Sequence, residues 1–454
     1  MNVPQRFHNL FATFDETQVV GIMTRWSSWD VRIRQVRGRC RASYTITVQS
    51  DRSYRALLTL PYVARLLLGM QIARIGQSMV SVAIVLFTLT SYHSAALAGM
   101  ATFFSVFPGL VVSPIGGALL DRHGRMRLVA LDYLVSLGAL VLMGTLALTG
   151  LLPAWLLILI AAIQSLTNPL SATGLRSLFP LIIPSHLWER VNAIDSMGFV
   201  IATILGPPFA AGLVAFWGGP VALIAIGVAF GIAAVVIAGS PEPVSQTATP
   251  GPLLVEARHG LLYTWRNPTL RALGFSISIV NLASGISNIV VPLIVLERLG
   301  LGETVVGLVF AVQGLTGVVS AVAFGRMNSS GRERTMLAAP MALSAVAVGI
   351  LLLNSNLVVL ILSMALIGVL QGPLDIALFT LRQRRTDPAW TGRAFAVSMS
   401  FNYLGFPIGS ALAGVIAARS IEAALACSAT ACLVAATVAI GMIPSRQDQP
   451  GVRL

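Results

Sequence analysis

The chain contains no lysine, so all 30 of its basic residues are arginine. Charged residues occupy only 10% of the 454 positions, against about 25% in an average soluble chain. Its three cysteines, Cys40, Cys427 and Cys432, have neither the number of a disulfide framework nor the spacing of metal ligands. With no lysine there is also no GxxxxGK[ST] loop, which excludes ATP-driven transport by this chain alone. We expect no cofactor, no metal and no enzymatic activity.

What the chain has in quantity is apolar sequence: 56% of its residues are hydrophobic and the mean hydropathy is +0.83. A membrane-spanning helix needs about 20 mainly apolar residues. Backbone polar groups in lipid must be paired within each segment, and continuous apolar runs favour helices over a barrel of alternating strands. The sequence therefore predicts an all-α membrane protein with twelve transmembrane helices, at about residues 62–89, 95–120, 128–150, 152–175, 191–216, 219–239, 271–296, 304–325, 336–354, 356–381, 393–417 and 421–443.

Arginine is distributed unevenly among the connections between these spans. One alternate set of connections holds only Arg298 and Arg419. The other set holds fifteen arginines: Arg122, Arg125, Arg127, Arg176, Arg190, Arg258, Arg266, Arg271, Arg326, Arg332, Arg334, Arg382, Arg384, Arg385 and Arg393. Because basic residues are enriched on the cytoplasmic side, both termini are predicted to be cytoplasmic, in a bacterial inner membrane. The arginines therefore report topology, and we expect no nucleic-acid partner.

The spans divide into two six-helix halves, residues 58–239 and 271–443. A cytoplasmic central loop, 240–270, separates them, and a short cytoplasmic tail, 444–454, follows. Residues 1–57 are polar and arginine-rich, and we expect a disordered cytoplasmic tail there. The arginines from Arg32 to Arg41 also suit contact with anionic membrane lipid, at about 1 kcal/mol per residue near the surface.

The two halves show weak internal repetition at offsets of 203 to 207 residues. The matching residues are Gln164 and Asn168 with Gln371 and Asp375, Arg190 and Gly206 with Arg393 and Gly409, and Asp121 and Gly124 with Asn328 and Gly331. Three matches at corresponding places predict a duplicated six-helix unit, a common feature of transporters.

The connection between the second and third spans carries the string Gly116-Gly117-Ala118-Leu119-Leu120-Asp121-Arg122-His123-Gly124-Arg125-Met126-Arg127. Asp121 ends a helix, where the macrodipole is already negative, so it needs a cationic or helix N-terminal partner. Gly124 suits the left-handed turn that stops a helix. The string resembles motif A of the major facilitator superfamily, GxLxDRxGR followed by a basic residue, from which Met126 departs.

A second resemblance lies in the fifth span, at Gly206-Pro207-Pro208-Phe209-Ala210-Ala211. Proline bends a helix, and small residues let neighbouring helices approach closely. The string is similar to the antiporter motif C of the same superfamily, GPxxGG, with Ala210 and Ala211 in place of the last two glycines. The alternative is an ordinary kinked, tightly packed helix. The stretch 257–268 is likewise similar to the entry to the second half in macrolide-efflux-like members.

These resemblances cover residues 53–443 and imply two halves that rock about a central site. They assign a gating role to the motif A residues Gly117, Asp121, Arg122, Gly124 and Arg125. In that reading Asp121 faces the N-terminus of the eleventh span, near residues 391–393, and locks the inward-closed state.

Polar residues inside spans are costly in lipid, so each is a candidate for the transport pathway. Arg74 lies nine residues beyond Arg65, about 13 Å along the helix and close to the midplane. We expect it to be a substrate or coupling residue, or alternatively a structural partner of a carbonyl or an acid. Asp375 lies seven residues before Arg382, about 10 Å inside the boundary, and is the candidate proton carrier. The remaining candidates are Asn168, Asn281, Asn288 and Gln371. Asp132 and Asp195 are expected to pair with arginines of the connections.

The sequence thus predicts a monomeric secondary active transporter that exports a small amphipathic compound in exchange for protons. Two alternatives remain open. One is an uptake symporter or a lipid transporter of the same fold. The other is a membrane sensor or scaffold that does not transport.

Overall fold

The computed structural model of the chain describes residues 31–36, 43–48, 53–240, 253–325, 332–354, 356–387 and 391–444. Side chains are described for these residues except at 31–36, 43–48, 114, 117, 118, 121, 180, 253–259 and 391–396. Cys40 therefore lies outside the described residues, while Cys427 and Cys432 are free thiols.

Helices dominate the described residues, and twelve spans are long and apolar enough to cross a membrane. This confirms the predicted fold class. The helices are α1 Tyr54–Leu58, α2 Val63–Tyr92, α3 Ala95–Phe104, α4 Phe107–His123, α5 Arg125–Leu148, α6 Ala154–Ile182, α7 Trp188–Trp217, α8 Gly219–Ile237, α9 Leu253–Arg266, α10 Pro268–Leu293, α11 Glu303–Phe324, α12 Glu333–Leu353, α13 Leu357–Arg385, α14 Thr391–Tyr403, α15 Gly405–Ala417 and α16 Ile421–Met442.

Polar side chains cap several of these helices and explain where they begin. The Ser94 hydroxyl accepts a hydrogen bond from the Leu97 N–H at the start of α3. The Asn267 side chain accepts from the N–H groups of Thr269 and Leu270 at the start of α10. Such caps satisfy N–H groups that have no partner within the helix, which matters most where no water is available.

Two spans that were predicted as single helices are interrupted. The second span consists of α3 and α4, with a break at Ser105 and Val106. Pro108 stands in the first turn of α4, where its missing N–H costs nothing, so it starts a new helix. The eleventh span consists of α14 and α15, which meet at Leu404.

In the N-terminal segment, where we predicted a disordered tail, the described residues include two strands, β1 Val31–Val36 and β2 Ser43–Val48, while 1–30, 37–42 and 49–52 lie outside the described residues. The strands pair antiparallel with Ile33 opposite Ile46 and Arg34 opposite Thr45. Both segments are rich in the β-branched residues that favour strands, with three of six in β1 and four of six in β2. A two-stranded hairpin is marginally stable on its own in water.

The halves repeat one another in their packing as well as in their sequence. A Cβ added to Gly206 of α7 would lie 2.5 Å from the Cβ of Ser78 on α2. A Cβ added to Gly409 of α15 would lie 2.0 Å from the carbonyl oxygen of Leu282 on α10. The fifth span therefore packs on the first as the eleventh packs on the seventh, with glycine at the same place in each half.

The tightest approaches between the two halves lie toward the arginine-poor ends of their helices. A Cβ on Gly99 of α3 would lie 2.4 Å from the carbonyl oxygen of Ser410 and 2.9 Å from the Cα of Gly414, both on α15. A Cβ on Gly307 of α11 would lie 2.7 Å from the Cβ of Ala211 on α7. Small residues thus allow two pairs of helices to meet across the halves at that end.

Candidate functional site

A buried ionic cluster joins three spans of the first half. The Arg74 guanidinium on α2 donates to Oδ1 of Asp195 on α7 at 2.5 Å, and to the Asp195 carbonyl oxygen at 2.8 Å. Arg176 on α6 donates to the other carboxylate oxygen at 2.9 Å. The side chains of Arg74 and Asp195 are only 17% and 10% exposed, whereas that of Arg176 is 51% exposed.

This geometry refines the expectations about charge pairing. Arg74, predicted as a substrate or coupling residue or as a structural partner, forms an ion pair with Asp195. We expected Asp195 to pair with arginines of the connections, but one of its two partners lies within the first span. Gln71 reinforces the junction, because its amide donates to the Gly198 carbonyl oxygen at 3.1 Å.

The residues that correspond to this ion pair in the second half are uncharged. At the offsets of 204 residues, which relates Ser78 to Leu282, and 203 residues, which relates Gly206 to Gly409, Arg74 corresponds to Ser278 and Asp195 to Ser398. The two halves therefore share a packing scheme but differ in charge, and the ionic cluster is a property of the first half.

Asp375 lies on α13 and is half-buried. Within the described residues its carboxylate makes no hydrogen bond or ion pair. Gln371, one turn earlier, is exposed, and Asn168, the residue matching Asp375 in the first half, has an Oδ1 atom without a described partner. These residues lie in separate halves, and no described contact brings Asp375 and Asn168 together.

The two other amide candidates lie on α10. The Asn281 amide donates to the Asn402 carbonyl oxygen on α14 at 2.9 Å, which ties the seventh span to the eleventh. The Nδ2 atom of Asn288 is buried without a described partner. Asn281 therefore has a packing contact, whereas Asn288 keeps a donor available.

Motif A occupies the turn between α4 and α5. Gly124 has φ 93° and separates the two helices, a conformation that favours glycine. Arg125 donates to the Ser177 carbonyl oxygen on α6 at 3.3 Å, and Arg122 is exposed. The side chains of Gly117, Asp121 and residues 391–393 lie outside the described part, so the contact predicted for Asp121 stays a prediction. The backbones of α4 and α14 do approach each other.

The motif C segment lies at an interface between the halves. Gly206, Ala210 and Ala211 are buried, and Pro207 and Pro208 lie inside α7. A Cβ on Gly307 of the eighth span would come within 2.9 Å of the Pro208 Cα and 3.5 Å of the Pro207 carbonyl oxygen. The small residues therefore serve two neighbours, α2 in the same half and α11 in the other.

Sequence reasoning assigned Arg382 to a connection, but its side chain is completely buried in α13. Its guanidinium donates to the Met399 sulfur at 2.6 Å and lies 5.7 Å from the centre of the Phe379 ring. In the orientation that suits its neighbours, the Asn402 amide oxygen also accepts from this guanidinium. The sequence did contain an indication of this position, because Arg382 follows Asp375 by seven residues and therefore lies on the same helix.

A bundle of twelve apolar helices in two repeated halves, with buried ionic and amide groups inside its spans, defines a multi-pass membrane protein of the transporter class. The sequence profile of the Major Facilitator Superfamily matches residues 66–281 and 273–453. The chain belongs to this superfamily, as the motif A and motif C strings suggested.

Comparisons with individual proteins agree with this assignment. The chain is 34% identical to an uncharacterized MFS-type transporter of Sinorhizobium fredii over 86% of this chain and 97% of that protein. It is 22% identical to macrolide efflux protein A of Streptococcus pyogenes over 77% of this chain and 88% of that protein. Its fold matches a D-xylose–proton symporter with a TM-score of 0.66 at 14% identity, covering 85% of this chain and 98% of the other.

Proposed function

We propose that this superfamily member exports a small amphipathic compound in exchange for protons by alternating access. The observation that carries the proposal is the carboxylate of Asp375, a half-buried acid in a membrane span with no described ion pair. An ionisable side chain within a membrane span is energetically unfavourable, so its presence there indicates a functional role. The likeness to macrolide efflux protein A favours export and an amphipathic substrate.

The gate in this proposal lies at the arginine-rich ends of the helices. The end of α4 and the start of α5 carry Asp121, Arg122 and Arg125. The helix α4 approaches α14 of the other half. Closure at this end would bring Asp121 to the start of α14, whose N-terminus favours a negative charge. The packed small residues of α3, α7, α11 and α15 close the opposite end.

Orientation follows from the arginine distribution, and we place both termini in the cytoplasm of a bacterial cell, with the protein in its inner membrane. In a variant without native cysteines, Ser91→Cys should react with a membrane-impermeant thiol reagent added to intact cells. His123→Cys should react only after the cells are lysed. Both positions are exposed in the structure, so a reversed pattern would overturn the orientation.

The proposal is tested by accumulation assays in cells with and without the protein, using a panel of drugs and metabolites. Efflux of a substrate should lower its accumulation, and collapse of the proton gradient should abolish the difference. Higher accumulation in expressing cells would favour the uptake symporter instead. No difference for any compound, together with reconstituted protein that moves neither solutes nor lipids, would favour the sensor or scaffold.

A further inference from the structure

The ionic cluster of the first half, formed by Arg74, Arg176 and Asp195, carries more positive than negative charge. The two arginines donate to the two oxygens of the Asp195 carboxylate, at 2.5 and 2.9 Å. A guanidinium group stays charged at every accessible pH, so two arginines and one carboxylate leave one positive charge unbalanced. An unbalanced charge within membrane spans is unfavourable, which makes the cluster a candidate for binding a further anion.

The other acids of the described spans do not supply this missing negative charge. Asp132 receives its hydrogen bonds from two hydroxyl groups of α6, and Asp375 belongs to the other half. Among the described residues, Asp195 is the only acid that pairs with either arginine of the cluster. A second anion bound to both arginines would balance the charge.

Both guanidinium groups keep N–H donors for such an anion. A guanidinium has five N–H donors, of which the described contacts of Arg74 use two and those of Arg176 use one. All three of these bonds go to Asp195. The planar arrangement of the remaining donors matches the oxygens of a carboxylate or phosphate group, which it can bind through two parallel hydrogen bonds.

The face of α2 that carries Arg74 is polar over several turns. Gln71, Arg74, Ser78 and Ser81 follow one another at intervals of three, four and three residues, so they lie on one side of the helix. Gln71 and Arg74 bond to α7, and Ser78 packs against Gly206 of the same helix. This side therefore faces protein, and the exposed 17% of the Arg74 side chain opens along the junction of α2 with α7.

Arg176 makes the cluster accessible from the arginine-rich ends of the helices. Its side chain is 51% exposed, and α6 ends six residues later at Ile182, about 9 Å along the helix. Asp195 holds one nitrogen of this guanidinium, while the remaining donors can meet a solute that arrives from this side. Arg74 then provides the second, more deeply buried contact.

We propose that the ionic cluster binds the anionic group of the exported compound, which is accordingly an amphipathic anion with a carboxylate or phosphate group. This inference rests on the proposed export function and names its class of substrate. The anion binds the unused N–H groups of Arg74 and Arg176, while Asp195 holds the two guanidiniums in place. Charge-assisted hydrogen bonds of this kind are strong in a partly buried site.

The test measures the melting temperature of the full-length protein in an uncharged detergent. The probes have naphthalene or biphenyl as their apolar body, and each body carries an acetate, a phosphate, an acetamide or an ethylamine group. At neutral pH these groups are anionic, anionic, neutral and cationic. Near saturation an anionic probe should raise the melting temperature by about 1 to 2 °C, and the acetamide and ethylamine probes should not.

Two results with these probes would overturn the proposal. One is the absence of any shift with the anionic probes, and the other is an equal shift with probes of every charge. Inorganic phosphate alone is measured in parallel and should have a smaller effect, because it has no apolar body. An equal effect of inorganic phosphate would show a site for a free ion, and the cluster would lose its assignment to the substrate.

Variants locate the site. Arg176→Gln should weaken the affinity for the anionic probe by about tenfold or more, and it leaves the pair of Arg74 and Asp195 intact. Arg74→Gln should have the same effect and keeps the test decisive if Arg176→Gln does not fold. Arg298→Gln is the matched control, because it removes an exposed arginine from the ion pair with Glu422 and should bind as the wild type does. Wild-type affinity in both cluster variants, or lost affinity in the control, would refute the site.

Failure of this inference can be distinguished from failure of the export function. Efflux of a neutral or cationic compound from cells, unchanged in Arg176→Gln, would refute the anion site and leave export intact. Binding of the anionic probes without efflux of any compound would refute export, and with it the role of the bound anion as an exported substrate.

Discussion

Arg74 and Asp195 connect the first span to the fifth through two bonds, one to the carboxylate and one to the backbone carbonyl oxygen. Arg176 shares the same carboxylate from the fourth span. Two guanidiniums therefore depend on one acid in a largely buried position. A buried ion pair contributes little net stability, but removal of one partner destabilises the protein strongly because the remaining charge stays buried.

Asp195→Asn should accordingly destabilise the purified protein by about 3 kcal/mol, since Arg74 keeps its charge but loses its counterion. The measurement is the melting temperature in detergent. The double variant Arg74→Gln with Asp195→Asn should recover part of the loss, because it removes the unpaired charge.

Glu422→Gln is the matched control, since Glu422 forms an ion pair with Arg298 but is 53% exposed. An exposed pair contributes about 0 to 1 kcal/mol, so this variant should melt close to the wild type. Equal melting temperatures for Asp195→Asn and the wild type would show that the buried pair does not hold the spans together.

The contact between Gly99 and α15 leads to a second prediction. Gly99→Val would overpack the interface, because even a Cβ there would lie 2.4 Å from the Ser410 carbonyl oxygen. Overpacking of this kind costs about 1 to 3 kcal/mol and should favour the state in which the arginine-poor ends separate. Ser410→Cys, buried in the wild type, should then react with an external impermeant thiol reagent about tenfold faster.

Gly212→Val serves as the control for this experiment, because nothing lies within 4 Å of the Cβ position of Gly212. It should leave the labelling rate of Ser410→Cys unchanged. If Gly99→Val leaves it unchanged as well, then the α3–α15 contact does not control access from that side.

The sequence was sufficient to predict the twelve spans, because each is a continuous apolar run long enough to cross a bilayer. Arg74 was also recognisable, as a charge in the middle of such a run. Its partner was not, because Asp195 lies 121 residues away and only helix packing brings the two together. Asp132 was misjudged for the same reason: we expected it to pair with an arginine, yet the Ser171 and Thr167 hydroxyl groups of α6 hydrogen-bond to its carboxylate. The interruption of the second span at Val106 was missed because the apolar run continues through it, and Pro108, which starts the new helix, was not taken as a boundary.

Asp121→Asn should reduce transport strongly while leaving expression and membrane insertion unchanged. The substitution removes a charge at the end of α4, where closure of the gate is proposed to depend on it, and leaves the length and hydropathy of the span intact. Substrate efflux from cells and the amount of inserted protein are measured side by side. Wild-type efflux from a correctly inserted variant would remove Asp121 from the gate.

Asp375 provides the prediction about energy coupling. Its counterpart in the first half is Asn168, which does not titrate, so only one half of this repeated pair can carry a proton. If Asp375 binds and releases the exchanged proton, Asp375→Asn should prevent uphill accumulation of substrate in liposomes to which only a proton gradient is supplied. Downhill exchange of substrate should persist, because the halves can still alternate without a charge at this position.

The control for that experiment is Gln371→Ala, one turn away on the same helix and exposed. Gln371 cannot exchange a proton, so this variant should stay coupled even if its substrate affinity falls. Both variants must be reconstituted in one orientation, which is measured by thiol labelling of the Ser91→Cys substitution. Uphill accumulation by Asp375→Asn at the wild-type level would make Asp375 a packing residue, and the coupling acid would have to be sought at Asp132 or Asp195, the other buried acids of the described spans.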